Sequence, residues 1–366
     1  MRMFRRQRAA LVIAAIVFGW VGRADAGHML FDVADRRLLE ASDVDTTIPP
    51  GRIADLLLVT VLRERIASGD LSFADRVTVL PVAGDRGPRL SAQEPVEVGE
   101  LLQLLLLSDS RTAAKTLAWA AGPSIGRCLT RMQQLAKRLG LAHTSVANDW
   151  PFAASLTSGG GAGQQGATTA RELGRLALIV VTDAELRRRL DLDGVPISNG
   201  GLIVRATDPL IAVEPTVAPT AAAATARLAL VERDGLELLV VATGPRSTDE
   251  LAATIAHGFQ RYRRIELVHE GQAVGPTVRV RGGIIPTFKA VAAEGWALTT
   301  QQASPPALAF RLQLPAEIAA PVEVRQAVGE LVVEQEGRLL AVVPLVAPQA
   351  IAPSGWLDTA HRGDLP

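Results

Sequence analysis

The chain has 366 residues, 48% of them hydrophobic, with 38 Lys plus Arg set against 38 Asp plus Glu. That length holds two ordinary domains, and the apolar fraction is ample for a buried core and too high for a disordered chain. The balanced charge offers no basic surplus for nucleic acid or an anionic membrane, and the single cysteine, Cys128, permits no internal disulfide.

Arg2, Arg5, Arg6 and Arg8 form a basic head, Ala9 to Val21 an apolar stretch, and Ala24-Asp25-Ala26 a small-x-small site. Together they read as a secretory signal peptide over residues 1–26, cleaved before Gly27, and so imply a periplasmic protein. An uncleaved membrane anchor is the rival reading, but 13 apolar residues are short of the ~20 that a crossing helix needs. Removing residues 1–26 takes away five Arg and Asp25, so 33 basic and 37 acidic residues remain and the charge falls to about −4.

Met29 to Glu40 reads as two short strands around Ala34-Asp35-Arg36. Pro49 and Pro50 then end an extended segment, and a Leu-rich run predicts a buried helix from Ile53 to Ala67. A second apolar helix runs from Gly99 to about Leu107, breaks at Ser108-Asp109-Ser110, and is followed by a third through Ala121. Ile125 to Leu139 forms a fourth, closed by Gly140, with Cys128, Met132 and Leu135 on one face; the thiol reads as structural. A Gly-rich loop spans Ser158 to Gly166. Thr169-Ala170-Arg171-Glu172 is a capping box that opens a helix to Val181. Arg227 to Val231 and Leu236 to Thr243 flank the hairpin turn Asp234-Gly235. A second capping box, Ser247 to Glu250, opens a helix carrying Leu251, Ile255, Phe259 and Tyr262 at helical spacing.

After Arg264 short alternating segments take over: Thr277 to Arg281, Phe288 to Val291, Trp296 to Thr300, Leu308 to Leu314, Leu331 to Glu334 and Arg338 to Leu345. The expected organisation is therefore a signal peptide (1–26), a mixed domain (27–264), an all-β domain of sandwich type (265–348) and a tail (349–366) without an amphipathic anchor stripe.

The order and spacing of several segments carry a family resemblance. They are Asp43-Val44-Asp45 with the proline pair, Val98-Gly99-Glu100-Leu101-Leu102, Leu139-Gly140-Leu141 with Thr144, Thr169 to Glu172, Asn199-Gly200-Gly201-Leu202, and Val328-Gly329-Glu330-Leu331. The chain beyond residue 26 resembles the D-alanyl-D-alanine carboxypeptidases, the serine-type low-molecular-mass penicillin-binding proteins, which trim peptidoglycan stem peptides. The resemblance implies an α+β fold: a β-lactamase/transpeptidase-like domain, with helices around an antiparallel sheet, and a small all-β C-terminal domain. It also implies three motifs: Ser-x-x-Lys at the start of a buried helix, Ser-x-Asn, and Lys-Thr-Gly on a strand lining the cleft.

The chemistry departs at all three. The Ser and Lys positions fall on Arg52 and Asp55; a guanidinium is neither nucleophile nor base, and no hydroxyl stands one turn before Asp55. The two residues are instead spaced for an ion pair one turn apart. Ser-x-Asn falls on Ser108-Asp109-Ser110, where Ser108 reads as a helix breaker bonded to backbone. Lys-Thr-Gly, counted back from the Arg227 strand, falls on Val217-Ala218-Pro219, without charge and with a proline that removes a backbone donor. The only lysines are Lys115, Lys137 and Lys289, so no Ser-x-x-Lys occurs elsewhere; Lys115, after Thr112, reads as a polar helix face. The five histidines accompany no nucleophile elbow or zinc pattern, and no cofactor or metal is expected. The degenerate motifs imply a protein of peptidoglycan metabolism that binds a stem peptide or a cell-wall protein without cleaving. The alternatives are an active carboxypeptidase rearranged around Ser108 or Ser110, and a scaffold with a filled cleft. Oligomeric state is left open.

Overall fold

A computed structural model of the chain describes residues 27–49, 53–85, 90–108, 110–122, 124–146, 166–190, 194–197, 202–205, 226–244, 247–304 and 306–354. The expected signal peptide, almost all of the Gly-rich loop and the end of the tail lie outside these residues.

β1 (His28–Asp32) and β2 (Arg37–Ser42) form the expected hairpin, followed by β3 (Thr47–Ile48) and α1 (Ile53–Ala67). The first ten residues of α1, Ile53 to Leu62, are all buried, because its apolar residues surround the axis instead of forming a stripe. The helix packs against α3 (Arg111–Ala120), α4 (Ile125–Arg138) and α5 (Ala170–Thr182), and each Leu it buries is worth about 1.5–3 kcal/mol. Ahead of α3 stand the short antiparallel pair β4 (Arg76–Thr78) and β5 (Pro95–Glu97), then α2 (Val98–Leu107), with nine of ten residues buried. α4 is one-sided, with Cys128, Met132, Leu135 and Ala136 inward, and Gly140 after it takes the left-handed conformation (φ 68°) that ends a helix.

β6 (Thr168–Thr169) pairs with β3 and leads into α5. The expected capping box forms only by half: the Thr169 hydroxyl accepts from the Glu172 amide at 3.3 Å. The Glu172 carboxylate turns instead to the preceding loop, accepting from His143 N (2.9 Å) and Thr144 Oγ1 (2.6 Å). Its side chain is buried, and a second chain segment offers it more donors than its own helix start. α6 (Ala184–Leu190) was not legible in the sequence; the hairpin β7 (Gly194–Ile197) and β8 (Leu202–Arg205) follows it.

β9 (Ala226–Arg233) and β10 (Leu236–Thr243) turn through Asp234 and Gly235, both at positive φ (51° and 74°) as a two-residue hairpin requires. The main sheet has the order β2-β1-β10-β9, so the chain's first strand pairs with one more than 200 positions later, His28 opposite Ala242 and Asp32 opposite Leu238. Side-chain alternation sends Met29, Phe31, Leu239 and Val241 to the helical core around α1, and Leu30, Leu238 and Val240 to a smaller core under α7 (Ser247–Arg261).

The expected helical position of Tyr262 is corrected: α7 stops at Arg261, and Tyr262 opens β11 (Tyr262–Val268). Pairing with β14 (Trp296–Gln301), Tyr262 opposite Gln301, outweighs helix continuation, while the ring still reaches the α7 core. A six-stranded sheet of order β15-β17-β18-β13-β12-β16 completes the C-terminal domain, from β12 (Ala273–Arg281), β13 (Thr287–Ala292), β15 (Leu308–Gln313), β16 (Glu317–Ala319), β17 (Ala327–Gln335) and β18 (Arg338–Val346). Its core is separate, built on Val278, Phe288, Leu331, Val343 and Leu345. Ile351, 1% exposed, also lies in it and bridges to Val322, so packing continues past residue 348. The α+β fold class, with an all-β C-terminal domain, holds.

Candidate functional site

Three helix ends converge where the resemblance places the nucleophile helix. Asp55 lies in the first turn of α1, Ser108 caps the C-terminus of α2 and Ser110 caps the N-terminus of α3. The start of α1 is buried and holds Asp55 in the core, and α2 gives way to α3 at residues 108–110.

Asp55 is fully buried (0% side-chain exposure), and both its oxygens accept from the guanidinium of Arg111, Oδ1 from Nη1 at 3.2 Å and Oδ2 from Nη2 at 2.6 Å. This is the bidentate fork by which arginine matches a carboxylate. Arg52, the other half of the expected ion pair, lies outside the described residues.

Ser108 Oγ donates to Leu104 O at 2.7 Å, the backbone bond that a helix-breaking serine makes. Ser110 Oγ accepts from Ala113 N (3.2 Å) and donates to Asp85 Oδ2 (3.1 Å). Asp85 also accepts from the amides of Arg111 (2.9 Å) and Thr112 (2.8 Å), so a carboxylate of the chain itself occupies the positive end of α3. The polar face of α3 fastens the loop that carries Asp85: Leu80 N and Val82 N donate to the hydroxyls of Thr116 and Thr112, and Lys115 Nζ donates to Pro81 O at 3.1 Å. Lys115 therefore has the structural work expected of it.

The structure thus brings Asp55, Ser110 and Asp85 together through one residue, Arg111, which the sequence reading did not single out. A signal was present. A cation in the first turn of a helix opposes the helix dipole, so an arginine there calls for a carboxylate partner. Val217, Ala218 and Pro219 lie outside the described residues, as do Asn199, Gly200 and Gly201. Cys128 is buried, and burial pushes its thiol up to about 12, which suits packing and not nucleophilic attack. Among the described residues no three His, Cys, Asp or Glu side chains gather as metal ligands.

Residues 262–353 match the protein-family model of the penicillin-binding protein 5 C-terminal domain. Among solved structures, the chain is similar to penicillin-binding protein 5 from Haemophilus influenzae (15% identity, TM-score 0.56, covering 89% of this chain and 97% of that one). It is similar also to penicillin-binding protein 3 from Streptococcus pneumoniae, a peptidoglycan synthesis regulatory factor (15%, TM-score 0.66, 89% and 98%). A third is penicillin-binding protein 6B from Escherichia coli (16%, TM-score 0.58, 88% and 94%). At these identities the likeness is one of fold. A search of curated protein sequences finds no match.

Proposed function

We propose that this chain, which by fold and C-terminal domain belongs with the D-alanyl-D-alanine carboxypeptidases among the penicillin-binding proteins, is an exported member that binds without cleaving. Its setting is peptidoglycan metabolism in the periplasm, and its ligand is a stem peptide or a cell-wall protein. Residues 1–26 supply the export signal. Among the described residues no helix is long and apolar enough to cross a membrane.

The observation that carries this reading is the state of Asp55. Acyl transfer needs a hydroxyl beside a group free to take its proton. At the position where the family holds its lysine, this chain has a buried carboxylate with both oxygens bonded to Arg111, and arginine cannot act as a base. Ser108 and Ser110, the hydroxyls at the second motif position, are engaged with Leu104 and Asp85. Loss of a nucleophile–base pair costs on the order of 10⁴–10⁶ in rate.

Incubation with penicillin followed by intact-mass measurement tests the reading. A β-lactam acylates a working serine site and leaves a covalent mass increase; this chain is expected to show none, and to be retained on peptidoglycan sacculi or by a wall protein. An adduct mapped to Ser108 or Ser110 would overturn the proposal in favour of a rearranged enzyme. An unmodified chain that no wall component retains would leave only the scaffold.

A further inference from the structure

The junction between the two domains contains a carboxylate with no adequate partner. Asp32, the last residue of β1, is 0% exposed, and its Oδ2 accepts no hydrogen bond. Its Oδ1 accepts from Asp35 N at 3.2 Å in the β1–β2 turn. Across the junction, Arg264 of β11 places Nη1 3.1 Å from Asp35 Oδ1 but 3.9 Å from Asp32 Oδ2. The same guanidinium donates to Thr299 Oγ1 (3.2 Å) and Ala297 O (3.4 Å).

The other charges nearby are committed elsewhere. Arg37 of β2 donates to Thr299 O at 2.6 Å, and Glu237 of β10, beside the strand partner of Asp32, is paired with Arg187 of α6. β14 contributes only the uncharged Thr299. Two carboxylates therefore face one shared guanidinium, which stands nearer to Asp35, and the Oδ2 of the buried one is left without a hydrogen bond.

We propose that a proton supplies both, making Asp32 and Asp35 an acid-closed latch that holds the β1–β2 turn of the first domain against β11 and β14 of the second. With the proton bound, Asp32 is neutral and can donate from its free oxygen, and Arg264 is left to Asp35. Without it, a buried, partly unpaired anion pushes on Asp35 and loosens the contact. Burial raises Asp32 above the ordinary aspartate range and the Asp35 charge adds to this, while donors from Thr299 and the Asp35 amide act the other way. The sign follows from that raised value. The closed latch is fully favoured below the ordinary aspartate value and is lost as pH rises through the raised one. A second contact does not depend on it: Glu40 of β2 accepts from Tyr262 Oη of β11 at 3.0 Å, so an open latch loosens the junction without parting the domains.

Hydrogen exchange on the full chain tests this, comparing about pH 4.5 with about pH 8 after correction for intrinsic rates. Protection in peptides covering the β1–β2 turn and β14 is expected to fall by about tenfold at the higher pH, while the β9–β10 hairpin stays unchanged. Asp32→Asn, neutral at every pH, is expected to abolish the difference. Should that variant not fold, Asp35→Asn gives the same reading, because Arg264 is then free for Asp32. A wild type that does not respond, an equal loss in the β9–β10 hairpin, or a variant responding as steeply as wild type each overturns the latch.

Discussion

At the scale of single residues, the pair at the start of α1 and α3 supports the fold. Asp55 is held by Arg111, itself only 12% exposed at the side chain. Arg111→Ala therefore removes the bidentate partner of a buried carboxylate, and a loss of about 3–5 kcal/mol is expected, read from the midpoint of chemical denaturation. Replacing both partners by apolar residues of similar volume should restore most of the loss, since neither desolvated charge then remains. A loss for Arg111→Ala under about 1 kcal/mol, the level of an exposed pair, would mean that Asp55 is solvated. The sequence showed half of this arrangement. Asp55 was visible because it stands where the resembled motif has lysine, whereas Arg111 was not, because a long side chain reaches partners that no spacing rule anticipates.

Among the elements, two glycines in helices make opposite demands. A Cβ on Gly174 of α5 would lie 2.8 Å from Phe31 Cε2 and 3.4 Å from Met29 Sδ, because α5 rides directly on β1. Gly174→Ala should cost about 1–3 kcal/mol despite alanine's better helix propensity. A Cβ on Gly126 of α4 meets only Ser124 Oγ at 3.9 Å, so Gly126→Ala should add about 0.5 kcal/mol. Thermal denaturation of the two variants distinguishes them, and the same sign for both would contradict this packing of α5. Helix limits were well read where composition was extreme: α1 runs from Ile53 to Ala67 as its Leu-rich run implied. Where propensity was weak, tertiary pairing decided. Tyr262 fits the α7 spacing but joins β14, and Glu172 fits a capping box but bonds to His143 and Thr144.

For the whole molecule, the helical core around α1 and the separate core of the C-terminal domain are joined by polar contacts between the β1–β2 hairpin and β11–β14. Calorimetry should resolve two transitions, and Leu345→Ala, at a fully buried position of the C-terminal core, should lower one by about 2–5 kcal/mol and leave the other in place. A single shifted transition would show that the two cores unfold as one. The domain change was legible because helical periodicity gives way to alternation after Arg264. The sheet order was not, because the pairing of β1 with β10 joins segments that no local pattern connects.

The fork between Asp55 and Arg111 also limits which single substitutions the two positions accept. Lysine at position 55 alone would bury two cations face to face, and a neutral residue at position 111 alone would withdraw the fork from a buried carboxylate. Each position therefore constrains the other, and a change of charge at either calls for a matching change at its partner. The bond that keeps the helix ends in place is thus also a lock on the charges that can stand there.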